Sequence, residues 1–91
     1  MKDKKEYDKL KLMLEDDFKW PHLYMFKFIV PFSPESIQQT EALFSSDAEI
    51  VLRESKNLKY MSITAKQLMD SPNAVVAIYE KAESIKGIMG L

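Results

Sequence analysis

The sequence predicts an α+β domain of ferredoxin-like βαββαβ topology, and three features predict it. Two Ser-Pro pairs, Ser33-Pro34 and Ser71-Pro72, each start a helix between runs of strand-forming residues. The segment from Ser55 to Thr64 reads as a turn entering a strand with strict alternation. Tyr60, Ser62 and Thr64 point one way, and Met61, Ile63 and Ala65 the other. Two strand–helix–strand halves in tandem build a two-layer sandwich with right-handed crossovers and an antiparallel sheet of order 4-1-3-2. Residues 20–91 form this domain, and residues 1–19 form an extra N-terminal helical extension.

Ninety-one residues suit one domain, and 46% hydrophobic with 30% charged residues suits a folded one. The net charge is -1, from 13 basic and 14 acidic residues. That balance offers no clustered positive charge for nucleic acid, so no nucleic-acid partner is expected. Cysteine is absent, which removes disulfides, thiolate chemistry and cysteine metal sites. No apolar run approaches the roughly 18 residues of a membrane span, so no membrane partner is expected. The first residues lack the apolar region and cleavage site of a signal peptide, and a cytoplasmic location is the default.

Asp3 and Glu6 have capping-box spacing, and Tyr7, Leu10 and Met13 with Leu14 then share one side of a short helix. Leu12 is off that stripe. Isolated helices of this length are marginal in water, so loose packing or fraying is expected. Glu15-Asp16-Asp17 sits poorly at the negative end of the helix dipole.

Trp20-Pro21 ends that segment, and residues 23–30 read as a strand rich in aromatic and β-branched types. Tyr24, Phe26, Phe28 and Val30 share one face, with Leu23, Met25, Lys27 and Ile29 on the other. Lys27 marks that second face as the open one. Ser33-Pro34-Glu35 starts a helix carrying Ile37, Thr40, Leu43 and Phe44 on one side and stopping near Ser45-Ser46-Asp47. Residues 48–54 form a second strand, and residues 59–65 the third. After Ser71-Pro72-Asn73, Val75, Ile78, Tyr79, Ala82 and Ile85 repeat at helical spacing. Gly87 is placed to cap that helix, and residues 88–91 make a short edge strand. The expected core is Phe26, Phe28, Ile37, Phe44, Ile50, Leu52, Met61, Ile63, Val75, Ile78 and Tyr79.

Candidates for chemistry are few. His22, the only histidine, has no acid, nucleophile or second ligand at a working spacing, and reads as structural. Glu15, Asp16 and Asp17 are adjacent and do not converge on one ion, so they read as a solvated acidic run. Ser55, Ser62 and Thr64 lack a base at motif spacing, and there is no Gly-x-Ser-x-Gly elbow. Only Gly87 and Gly90 are glycines, so there is no phosphate loop. No catalytic, cofactor-binding or metal residue is therefore assigned, and the chain is read as a non-enzyme.

The open sheet face remains. It collects Met25, Lys27 and Ile29, then Val51 and Arg53, then Tyr60, Ser62 and Thr64. Lys27, Arg53, Tyr60, Ser62 and Thr64, with Lys56 on the adjoining turn, form a candidate ligand or partner face. Two cations among hydroxyls and apolar groups suit an acidic ligand or a protein partner. The plainer alternative is a solvated face, ordinary for an antiparallel sheet. An RNA-recognition module shares the topology, but its third strand carries several stacking rings where this one offers Tyr60 alone. A small enzyme is the other alternative, and it lacks a convergent titratable set.

Several stretches match a known pattern in order and spacing. They are Pro21 followed by Tyr24-x-Phe26-Lys27-x-Ile29, then Ser55-Lys56 with Tyr60-x-Ser62-Ile63-Thr64. Ser71 with Val75 and Ile78-Tyr79, and the closing Ile85-x-Gly87-Ile88-x-x-Leu91, complete it. Over roughly residues 20–91 the chain resembles the YbeD-like domain of unknown function, small bacterial proteins often labelled lipoate-biosynthesis regulators. The resemblance implies a fold similar to the small-molecule-sensing ACT domains and a regulatory role. It carries over no agreed catalytic residues. The open face, with the turn at Lys56-Asn57, is expected to contact a second copy of the chain or a metabolic-enzyme partner. The family turn often holds a glycine where this chain has Asn57-Leu58-Lys59, and residues 1–17 lie outside the resemblance.

Overall fold

A computed structural model describes residues 3–90. The chain runs α1 (Lys4–Asp17), β1 (His22–Pro31), α2 (Pro34–Glu41), β2 (Glu49–Glu54), β3 (Tyr60–Met69), α3 (Pro72–Ala82) and β4 (Met89–Gly90). The four strands form one antiparallel sheet in the order β2-β3-β1-β4, which is 4-1-3-2 read from the opposite edge. The molecule is therefore α+β, with three helices against one sheet. Of the expected strand over residues 88–91, Leu91 lies outside the described residues, as do residues 1 and 2 of the N-terminal extension.

β1 and β3 pair along ten positions, from His22 opposite Met69 to Pro31 opposite Tyr60. Alternation then sorts their side chains. Phe26, Phe28, Val30, Met61, Ile63 and Ala65 are buried on the face the helices cover. β3 is longer than the expected 59–65 because its ladder with β1 continues to Met69.

The two Ser-Pro starts differ in execution. Ser71 Oγ accepts the Ala74 N–H at 3.1 Å. Ser33 occupies the N-cap of α2 without a side-chain cap bond; the helix begins on the Ile37 N–H to Ser33 carbonyl bond instead. α2 is also shorter than expected. It ends at Glu41, and tighter bonds from Leu43 N–H to the Thr40 carbonyl and from Phe44 N–H to the Glu41 carbonyl close it. Its most buried residues are Ser36 and Thr40, one turn apart, with the Thr40 hydroxyl donating to the Ser36 carbonyl at 2.8 Å. Ile37 and Phe44 are half-buried at the rim of the core, not in its centre as expected.

Two further expectations are corrected. Leu52 is 42% exposed rather than core, because β2 is an edge strand beyond the reach of the helices, and only Ile50 along it is half-buried. Gly87 does not cap α3, whose C-cap is Glu83; it sits beyond a further turn, in the left-handed region at φ 75°.

The N-terminal helix packs closely instead of fraying. Asp3 Oδ1 accepts the Glu6 N–H at 2.9 Å at its start. Tyr7 and Leu14 are buried in the same cluster as Phe26, Phe28, Val75 and Tyr79. The Tyr7 hydroxyl donates to Glu83 Oε1 at 2.5 Å. At the acidic end the Leu14 carbonyl accepts from both Phe18 N–H and Trp20 Nε1, satisfying a terminal carbonyl despite the adjoining acids. The Trp20-Pro21 peptide bond is cis.

Candidate functional site

The exposed face of the sheet is built by cross-strand neighbours. In one row Lys27 of β1 lies opposite Thr64 of β3, which lies opposite Val51 of β2. In the next row Met89, Ile29, Ser62 and Arg53 run across all four strands. Below the first row come Met25, Lys66 and Glu49, and then Leu23 beside Leu68. Tyr60 closes the other end opposite Pro31. Neighbours in such rows are about 4.5–5.5 Å apart at Cβ, so each row is in mutual contact range.

Much of this face is apolar and solvent-facing. Leu23, Met25, Val51, Leu68 and Met89 are all 50% exposed or more, and Tyr60 is 46% exposed. Single exposed apolar residues are ordinary, but here every strand sets one or more on the same face, interrupted by Lys27, Thr64 and Lys66. Lys27, Arg53 and Lys66 stand exposed among them, with Glu49 toward the β2 edge.

Four of the six sequence-selected residues meet in one place. Lys27, Arg53, Tyr60 and Ser62, with Ile29, Glu54, Ser55 and Met89, line a depression of about 440 Å³ that opens broadly to solvent. Thr64 is its half-buried neighbour in the Lys27 row and does not line it. Lys56 also lies outside it, exposed on the turn between β2 and β3. That turn is built by Ser55 and Asn57. Ser55 Oγ donates to Asn57 Oδ1 at 3.0 Å and accepts the Tyr60 N–H at 3.0 Å. Leu58 adopts φ 57° there, the left-handed conformation.

Met89, Lys66 and Leu68 belong to this face and were absent from the sequence reading of it. For Lys66 and Leu68 the signal was the uninterrupted alternation of β3, masked by the polar pair Lys66-Gln67. Met89 reaches the face only through the pairing of β4 with Ile29, which no local pattern encodes.

Away from this face, Tyr24 and Tyr79 approach at 3.3 Å between hydroxyls, next to the Tyr7–Glu83 bond. Burial, and then the Tyr24 hydroxyl, hold the Tyr79 phenol well above its ordinary pKa. His22 stacks on Phe18 with ring centres 4.1 Å apart and meets Trp20 edge-on, an aromatic packing role. Among the described residues no group of three or more His, Cys, Asp or Glu converges in a way that could hold a metal ion. No helix among them is long and apolar enough to cross a membrane.

Comparison with protein-family models, with curated proteins and with solved structures finds no match to this chain.

Proposed function

We propose that this chain is a non-catalytic regulatory or interaction module of ferredoxin-like βαββαβ topology, and that the open sheet face is its binding surface. One observation carries the reading: all four strands contribute exposed apolar side chains to that face, Leu23 and Met25, Val51, Leu68 and Met89, with cations set among them. Apolar area drives association, and the charges set orientation and partner choice. The favoured occupant is a protein surface with acidic groups. The resemblance to YbeD-like and ACT-like domains suggests a metabolic enzyme in a bacterial cytoplasm.

A second reading rests on the depression itself. Lys27 and Arg53 flank Ser62 and Tyr60, a donor set suited to a small carboxylate metabolite. Its volume falls within the roughly 300–1,000 Å³ of ligand sites.

Lys27→Glu separates these readings from a merely solvated face. Lys27 is exposed on a central strand, so the fold is expected to survive the change. Parent and variant are used as baits in the native cell, and co-eluting proteins are identified by mass spectrometry. A partner retained by the parent and lost by the variant, with the larger loss at low salt, supports the docking surface. Equal retention by both overturns it. Titration of the same two proteins with succinate, followed by amide NMR shifts at Ser62 and Arg53, tests the second reading. Shifts in the parent alone support it, and shifts in neither dismiss it.

A further inference from the structure

We propose that the end of the sheet carrying the β2–β3 turn is a peripheral docking surface for anionic lipid bilayers, with Leu58 as the side chain that enters the bilayer. The inference goes beyond the open-face reading and uses a different part of the molecule. Leu58 stands exposed at the tip of the turn, and its N–H donates to the Ser55 carbonyl at 3.0 Å. Its φ of 57° is the left-handed conformation that hairpin loops ordinarily give to glycine. A leucine there adds strain, and an exposed one recovers none of it by packing within the chain. A contact outside the chain accounts for that side chain.

Its neighbours suit a lipid surface. The Phe32 N–H donates to the Lys59 carbonyl at 2.9 Å, which sets a second exposed apolar side chain beside the turn. Gly87 lies close against Pro31, so Lys86 belongs to the same end. Lys56, Lys59 and Lys86 are all exposed there. Among the acids of this end, Glu54 shares the lining of the depression with Arg53, Glu83 accepts the Tyr7 bond, and Glu35 begins α2. A bilayer surface receives apolar side chains from a turn tip without a matching pocket, while flanking lysines meet its phosphates. A protein partner would need a cleft shaped to the tip.

The opposite end of the sheet is acidic. Asp17, Asp47, Glu49 and Asp70 stand exposed there, with Lys19 and Lys66. The net charge of -1 thus hides a polarity along the strands. An anionic surface repels the acidic end and turns the Leu58 end toward itself. The absence of a spanning run, on which the expectation of no membrane partner rests, does not bear on a contact of this kind, which lies at the lipid headgroups and crosses nothing.

The test is co-sedimentation of the full chain with vesicles of phosphatidylcholine alone and of equal parts phosphatidylcholine and phosphatidylglycerol. The parent is expected to sediment with the anionic vesicles, less at high salt, and not with the neutral ones. Leu58→Gly relieves the turn and keeps every charge, and it should weaken binding about fivefold or more. Lys56→Gln with Lys59→Gln should weaken it about tenfold or more. Lys19→Gln with Lys66→Gln removes the same charge from the far end and should leave binding intact. Circular dichroism of each variant checks the fold. A parent left in the supernatant beside anionic vesicles at low salt overturns the proposal, as does Leu58→Gly bound as tightly as the parent. Equal losses in the two double variants overturn it too, since overall charge would then govern binding. A protein captured from the cell by the parent and lost by Leu58→Gly, with vesicles left unbound, overturns it and gives the tip to a protein. Lys27→Glu keeps every group used here, and the vesicles hold no protein partner, so failure of the open-face reading and of this one are told apart.

Discussion

Among the described residues, Leu58 and Gly87 hold positive φ for opposite reasons. Leu58, at φ 57° in the β2–β3 turn, is a branched residue in a conformation that suits glycine, and its side chain is 55% exposed. Leu58→Gly should therefore stabilise the fold by about 0.5–1 kcal/mol, the relief of the left-handed conformation less the added freedom of the unfolded chain. Gly87, at φ 75°, is correctly glycine, and a Cβ there would meet Pro31 Cγ at 2.6 Å. Gly87→Ala should destabilise by about 2 kcal/mol or more, from the backbone conformation and the clash together. Urea denaturation of both variants beside the parent reads the two signs. Tyr79 supplies a pH dependence. Its folded pKa is raised by burial and by Tyr24, so the folded state keeps the phenol proton after the unfolded chain begins to release it. The stabilisation is whole below the unfolded value near 10 and falls as pH rises above it, by about 1.4 kcal/mol per pH unit for this one group. Tyr79→Phe should flatten that alkaline decline in denaturation midpoints taken from pH 9 upward.

At the level of the elements, α1 is where local reasoning and the folded molecule part most. Its stripe is weak and its C-terminal turn acidic, so read alone it is a marginal helix. Its stability comes instead from α3 and the sheet, which bury Tyr7 and Leu14. Leu14→Ala should cost about 2–5 kcal/mol, a core-sized loss that a frayed helix would not show, read from the thermal or urea midpoint. The strands were legible for the opposite reason. Phe26, Phe28 and Val30 against Met25, Lys27 and Ile29 is a period-two signal that needs no tertiary context, and it placed the open face correctly. Leu52 obeyed the same period and yet lies exposed, since alternation tells which face a residue joins and not whether a helix covers it. Thr40 was legible on the Ile37–Phe44 side of α2 but not as core, and Ser36 not at all, because small polar residues give no apolar signal and the Thr40 hydroxyl is satisfied by the Ser36 carbonyl of the helix itself. The candidate face was legible around its depression, at Lys27, Arg53, Tyr60 and Ser62. Its margins at Met89 and Leu68 depended on pairings between distant strands.

Across the whole molecule, the sheet divides labour between its two sides. One side is fully committed to the helices through Phe26, Phe28 and Ile63, none of which is exposed. The other carries the exposed apolar and cationic residues, and none of the described residues is laid over it. The core is closed by contacts between distant parts of the chain. β1 pairs with β3 across the intervening α2 and β2, and the Tyr7 hydroxyl meets Glu83 across a separation of 76 residues. That last contact has a meaning on the ribosome. At synthesis rates of about 5–20 residues per second, roughly 4–15 s pass between the making of Tyr7 and of Glu83. Throughout that interval α1 has no α3 to lie against, and Leu14 lacks the Val75 and Tyr79 side of its cluster. A chain cut short before α3 would thus leave Tyr7 and Leu14 of α1 without the helix that covers them.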